Sequence, residues 1–198
     1  MEGITYRNAT IQDARFIALV VAEAVGNTLM ERMENNTYTQ ADKDILSQIT
    51  NVCSRTDTLY SWKNAQVAVS PTGECVGALI SYAGEGYLQQ RETTFQLLSR
   101  LIHFDVDQMD EETKDGEYYL DSLAVLPQWR GRGIARQLLI EGLKKAQTMR
   151  CPAILACAPE NLGAKHLYES LGFEEQGHMF IFGEDYLRMV SSSSFTSS

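Results

Sequence analysis

A chain of 198 residues with 44% hydrophobic and 22% charged residues is enough for one sizeable domain with a continuous core. Its 26 acids against 17 bases give a formal net charge of -9, which argues against nonspecific duplex DNA binding and against attachment to an anionic membrane, and favours cationic partners. Four cysteines, Cys53, Cys75, Cys151 and Cys157, lack both metal-ligand spacing and disulfide density and so suggest a reducing compartment.

The N-terminal MEGITYRNAT has no basic-then-apolar leader, and the longest apolar run, 16–22, is too short to span a bilayer; a cytoplasmic protein is expected. Residues 3–8 read as a first strand, and Thr10 as the cap of a helix carrying Phe16, Ile17, Leu19, Val20 and Ala24 that ends near Gly26. A second helix is predicted from about Thr39, with Ala41, Ile45, Leu46 and Ile49 at near-helical spacing. Then the period changes, and 65–70 and 75–82 form a hairpin around Pro71 and Gly73. Residues 84–116 interrupt the sheet pattern with a helix over about 89–102, where Phe95, Leu98, Leu101 and Ile102 share a face. The acidic DVDQMDEETKDGE that follows reads as a solvated loop, with an electrostatic lure for a cationic substrate as the alternative.

EYYLDSLAV is a strand stopped at Pro127, after which QWRGRG launches a helix with an apolar stripe of Ile134, Ala135, Leu138, Leu139 and Leu143. Residues 153–158 make another buried strand, and ENLGAKHLYESLGF a helix that Asn161 caps and Gly172 ends. Residues 178–188 supply a last strand or strand pair, and the tail 191–198 is low-complexity. No repeat and no second domain is visible, so a single domain over 1–190 is expected.

A strand-turn-helix junction exposes unpaired N–H groups and partial positive charge to an anion. In QWRGRGIAR, Gly131 and Gly133 remove side chains where a ligand must approach, while Arg130, Arg132 and Arg136 can bring charge to phosphate oxygens. A phosphate or pyrophosphate is the expected ligand, the bland alternative being a soft turn with soluble arginines. There is no GxxxxGK[ST], and Arg136 stands where GxGxxG needs a small residue, so neither a P-loop nor a Rossmann reading holds.

The segment LAVLPQWRGRGIARQLL resembles the acetyl-CoA-binding signature of the GNAT N-acetyltransferase superfamily, with Gln128, Gly131 and Gly133 at the positions of [QR]xxGx[GA]. ENLGAKHLYESLGF resembles that superfamily's other familiar stretch, matching at Asn161, Ala164, Tyr168, Gly172 and Phe173. The long 84–116 insertion departs from the family's usual brief connection. The resemblance implies an α/β (α+β) fold: a mixed, largely antiparallel twisted sheet flanked by helices, with a splay between the fourth and fifth strands. It implies acetyl-CoA as cosubstrate, its pyrophosphate on the backbone amides of Arg130, Gly131, Arg132, Gly133, Ile134 and Ala135. Backbone groups of Leu123, Ala124 and Val125 would meet pantetheine, as would Asn161, unless that residue is only a helix cap.

Acyl transfer to an amine needs a neutral nucleophile, a stabilised oxyanion and a proton for the leaving thiolate. Tyr168 resembles the family's general acid, with a core tyrosine as the alternative, since Ala164, Leu167, Tyr168 and Leu171 form an apolar stripe. Asp121, lone acid of an apolar strand, is the candidate base, or else a cap or ion-pair partner; strict alternation puts it on the face of Tyr119, Leu123 and Val125, unless a bulge shifts the phase. Glu117 is a weaker base candidate, and the Leu123 N–H a candidate donor to the thioester carbonyl. His103, His166 and His178 show no metal spacing and no metal is expected; Cys157 reads as a small core residue, and Trp129 as packing beside the cofactor or covering the sheet edge. The expectation is an N-acetyltransferase acting on a primary amine in a ternary complex, mildly favouring a cationic small molecule. The alternative is a silent acyl-CoA-binding sensor or interaction module. No nucleic acid or membrane partner is expected, and a homodimer is compatible.

Overall fold

The computed structural model describes residues 3–26, 28–101 and 105–191. Strand β1 (Thr5–Asn8) leads through a 3-10 turn at Ile11–Asp13 into helix α1 (Ala14–Ala24). Asp13 fixes that corner: its carboxylate accepts from the Thr10 N–H at 2.7 Å and the Thr10 hydroxyl at 2.9 Å, and Arg7 grips it at 2.7 and 3.0 Å. Burial alone would raise the Asp13 carboxyl, but the Arg7 and Thr10 donors outweigh it and hold the group well below the usual carboxylate range. A six-residue helix α2 (Leu29–Glu34), not expected from the sequence, sends Leu29 and Met30 into the core. Helix α3 (Gln40–Cys53) starts at the predicted Thr39, whose hydroxyl takes the Asp42 N–H at 3.2 Å while the Asp42 carboxylate returns to the Thr39 N–H at 2.8 Å.

Strands β2 (Ala65–Val69) and β3 (Cys75–Ala83) form the expected hairpin. The insertion contains helix α4 (Tyr87–Leu98), which buries Phe95 and Leu98; Ile102 and His103 lie outside the described residues. Then come β4 (Tyr118–Val125), a 3-10 turn at Pro127–Trp129, α5 (Ile134–Met149), β5 (Ala153–Cys157) and α6 (Leu162–Glu169). The chain closes with β6 (Phe173–Ile181) and β7 (Glu184–Ser191), joined by a two-residue turn with φ of 50° at Phe182 and 86° at Gly183. β6 starts earlier than the sequence suggests because Glu174–His178 are exposed on the last strand of the sheet, where no alternation is imposed. The tail beyond Ser191 lies outside the described residues.

Among the described residues the seven strands form one sheet in the order β1-β2-β3-β4-β5-β7-β6, and only β4 and β5 run parallel. One face buries Ile17, Ala18, Val20 and Ala22 of α1 and Leu46 and Ile49 of α3 against Ala78, Ile80 and Tyr119. The other packs Ile134, Leu138 and Leu139 of α5 on Leu79, Leu120 and Leu155. Among the described residues no helix is long and apolar enough to cross a membrane.

Two irregularities in β4 position the site. β4 pairs with β5 only at Tyr118–Ala153 and Tyr119–Ile154, so from Leu120 onward the two strands part. The pairing of β4 with β3 skips from Ser122 to Leu120, which makes Asp121 a bulge. The bulge corrects the strict alternation: Tyr119 packs on the α1 side, as does Ala124, whereas Leu120, Leu123 and Val125 pack on the α5 side. Asp121 therefore does not share a face with Leu123 and Val125.

Candidate active site

The glycine turn presents backbone donors. The Trp129 N–H goes to the Leu126 carbonyl at 2.8 Å, the Arg130 N–H to Pro127 at 3.1 Å, and the Gln137 N–H back to Gly133 at 3.1 Å. Between them, the N–H groups of Gly131, Arg132, Gly133, Ile134, Ala135 and Arg136 have no acceptor among the described residues. The free run thus begins one residue later than the resemblance implies, at Gly131, because the Arg130 amide is spent within the turn. Gly131 and Gly133 sit at φ of 72° and 75°, the left-handed region, and both are exposed. This concave row of amides at the start of a 16-residue helix suits a pyrophosphate.

The arginine side chains of this turn are engaged elsewhere. Arg130 donates through Nε to the Val125 carbonyl at 3.0 Å and reaches Glu23 at 3.2 Å and Glu31 at 3.5 Å, tying the turn to α1 and α2. Arg132 donates to the Gln128 carbonyl at 3.3 Å and lies 4.8 Å above the Trp129 ring. Arg136 bonds the Ser170 hydroxyl at 2.7 Å. Gln128 itself is exposed, and Trp129 packs against the α5-side core, covering the sheet.

The parting of β4 and β5 exposes main chain. The Leu126 N–H bonds the Val76 carbonyl, and ladder alternation from that pair commits Ala124 and Ser122 to β3 while turning the backbone groups of Leu123 and Val125 toward β5. Beyond Tyr119 no β5 partner meets them. The Leu123 N–H is left facing the gap, the Val125 carbonyl is taken by Arg130, and Ala124 is spent on the ladder.

Tyr168 of α6 packs on the same side as Leu123, Trp129, Ala135 and Ala164, with its ring 6.1 Å from that of Phe173. Burial, with the neighbouring Cys157, pushes its phenol up to about 12, so it stays protonated at neutral pH. Asn161 caps α6 by accepting the Ala164 N–H at 3.1 Å. Cys157 is buried, and burial raises its thiol; His166 and His178 are exposed.

On the opposite face of the sheet a cavity of about 610 Å³ opens among α1, α3, α4 and β7. Its wall includes Asp121 and Ser122 of β4 and Ala156 of β5, so it adjoins the gap between those strands. Asp121 accepts from the Tyr82 and Ser122 hydroxyls, each at 2.5 Å. Burial raises the Asp121 carboxyl, against the pull of those two donors.

A second carboxylate, Glu112, joins it, and the reading of the acidic stretch as solvated missed it. Asp105, Asp107, Asp110 and Glu111 are exposed as expected, but Glu112 is 7% exposed and lines the cavity. It accepts from the Tyr87 and Tyr119 hydroxyls, each at 3.2 Å. Burial, then the nearby charge of Asp121, pushes it up to about 8. Three buried tyrosines, Tyr82, Tyr87 and Tyr119, were the available signal, since buried phenols need acceptors. Glu117 is withdrawn from the role of base: Arg188 holds it at 2.6 Å, and it does not line this cavity.

The Acetyltransferase (GNAT) family model matches residues 52–173, a span holding the glycine turn, the splayed strands and Tyr168. No curated protein matches the sequence. Among solved structures, an N-acetyltransferase from Staphylococcus aureus Mu50 is 24% identical at a TM-score of 0.73, over 94% of this chain and 99% of that one. A Corynebacterium glutamicum structure described as histone acetyltransferase HPA2 and related acetyltransferase is 20% identical at 0.65, over 99% of each chain. A chain of the NatC complex bound to Gag peptide and CoA is 17% identical at 0.54, over 96% of this chain and 98% of that one. At such identities the likeness speaks for the fold, and the fold is the one the sequence resemblance implied. With more than half the sequence inside the family model, the chain belongs to the GNAT acetyltransferase family.

Proposed function

We propose that the chain transfers the acetyl group of acetyl-CoA to a primary amine by direct attack in a ternary complex. The observation that carries this is the pairing of two features across one gap in the sheet. A row of free amides and a free strand edge lie on the α5 side, and an acid-floored cavity adjoins the same gap from the α1 side. The amides of Gly131 to Arg136 hold the pyrophosphate, and the Leu123 backbone aligns the pantetheine arm with help from Asn161. The Asp121–Glu112 pair, both carboxyls raised by burial, takes the proton from the ammonium, directly or through water, so that the free amine can attack. The Leu123 N–H donates to the oxygen on which charge develops, and the Tyr168 phenol returns a proton to the departing thiolate.

Calorimetry with acetyl-CoA tests the donor side, and thiol release against a panel of primary amines tests transfer. Tyr168→Phe is expected to lower kcat about a hundredfold with little change in acetyl-CoA affinity. Binding without thiol release for any amine would instead identify a CoA-binding sensor, and absence of binding at millimolar acetyl-CoA would remove the whole reading.

A further inference from the structure

The cavity says more about the acceptor than that it carries a charge. Its two buried acids, Glu112 and Asp121, are gathered at one end, at the sheet, and among the described residues no lysine, arginine or histidine lines it. From that floor to the mouth the wall is apolar: Ile45 and Ile49 of α3, Phe95 and Leu98 of α4, Phe182 of the last turn, and Val25, 52% exposed, at the rim. The other acid in the lining, Glu184, is exposed and already accepts the Tyr186 hydroxyl at 3.3 Å. A solvated carboxylate of that kind adds little to binding. A volume of about 610 Å³ falls among the pockets that enclose small molecules.

Resting on the acetyl-transfer reading above, we propose that the acceptor is an amphipathic monoamine, one ammonium carried by an alkyl or aryl body, and not a polyamine or a polar peptide amine. The ammonium is drawn to the Glu112–Asp121 floor, where its proton is removed, and the apolar body lies along α3 and α4. A polyamine would leave a second ammonium among Ile45, Phe95 and Leu98 with only the solvated Glu184 as a carboxylate partner, a placement that desolvation penalises. The insertion supplies both halves of this recognition, since α4 gives the apolar wall and the loop after it gives Glu112.

The test is thiol release from acetyl-CoA with n-butylamine through n-octylamine, phenylethylamine, the α,ω-diamine of octane, and a lysine-containing dipeptide. The expected kcat/KM climbs about threefold to fourfold per added methylene. The diamine should fall at least tenfold below octylamine, on the order of the discrimination an apolar pocket provides. Ile45→Gln, at a half-buried position, should raise the KM for octylamine about tenfold while acetyl-CoA affinity by calorimetry holds. A flat series, or a preference for the diamine or the dipeptide, overturns the proposal and leaves acetyl transfer standing. So does an Ile45→Gln enzyme with the wild-type KM. Thiol release with none of these amines overturns both.

Discussion

Glu112 accepts from two phenols and is lifted to about 8 by burial and by Asp121, so it binds a proton in the folded chain over a range where the unfolded chain does not. That range runs from its ordinary 4.5 to about 8, and across it the stability it confers falls as pH rises. Glu112→Gln should therefore raise the melting temperature at pH 8 and change it little near pH 4.5. The same variant should lower kcat about a hundredfold and flatten the rise of rate with pH, if the pair takes the ammonium proton. The residue was hidden in the sequence because a run of acids averages as a solvated face, and only the fold turns two of them, Glu112 and Glu117, inward. The glycine turn was legible for the opposite reason: left-handed backbone and a helix start are local properties. Gly131→Val places a branched side chain at φ of 72°, with open space around it, so its cost is conformational. It should weaken acetyl-CoA binding at least tenfold by calorimetry. Arg132→Ala, which loses only a ring contact and a bond to Gln128, should stay within about threefold.

Elements whose signals are local, such as the β2–β3 hairpin, the start of α3 at Thr39 and the α5 stripe, stand where the sequence puts them. Helix α2 does not show, because six residues give too few turns for a period, and the start of β6 does not because its polar run faces water on both sides. The insertion is anchored by contact, not by period. Gly84 donates its N–H to the Glu117 carbonyl at 2.9 Å, and a Cβ there would stand 1.8 Å from the Lys114 carbonyl oxygen. Gly84→Ala must push the 111–117 segment off the end of β3, at about 3 kcal/mol. In thermal unfolding, a domain of this size should lose roughly 6–12 °C. Because Glu112 lies in the displaced segment, turnover should fall further than the lost stability alone explains.

At the scale of the molecule, the net charge of -9 and the arginine-bearing turn no longer conflict. The arginines pair with Glu23, Glu31, Gln128 and Ser170, and the donors left for an anion are uncharged. Composition could not have shown this, since it counts charges without their partners. The splay of β4 from β5 was likewise out of reach of local reasoning. It entered only through the resemblance, because both strands read as ordinary buried strands and which of their residues pair is not a local property.

The extra residue at Asp121 acts as a frameshift confined to one strand. A strand is read in a frame of two, inward and outward, and a single inserted residue exchanges the meaning of every position after it. Upstream, Tyr119 belongs to the α1 side; downstream, Leu123 and Val125 belong to the α5 side. One continuous strand can thus spend a side chain on the acceptor and, two residues on, a backbone N–H on the donor. Removing Asp121 would make Leu120 and Ser122 consecutive partners of Ser81 and Ile80 and restore strict alternation, so Leu123 and Val125 would stay under α5 and the loss would fall on the cavity floor alone.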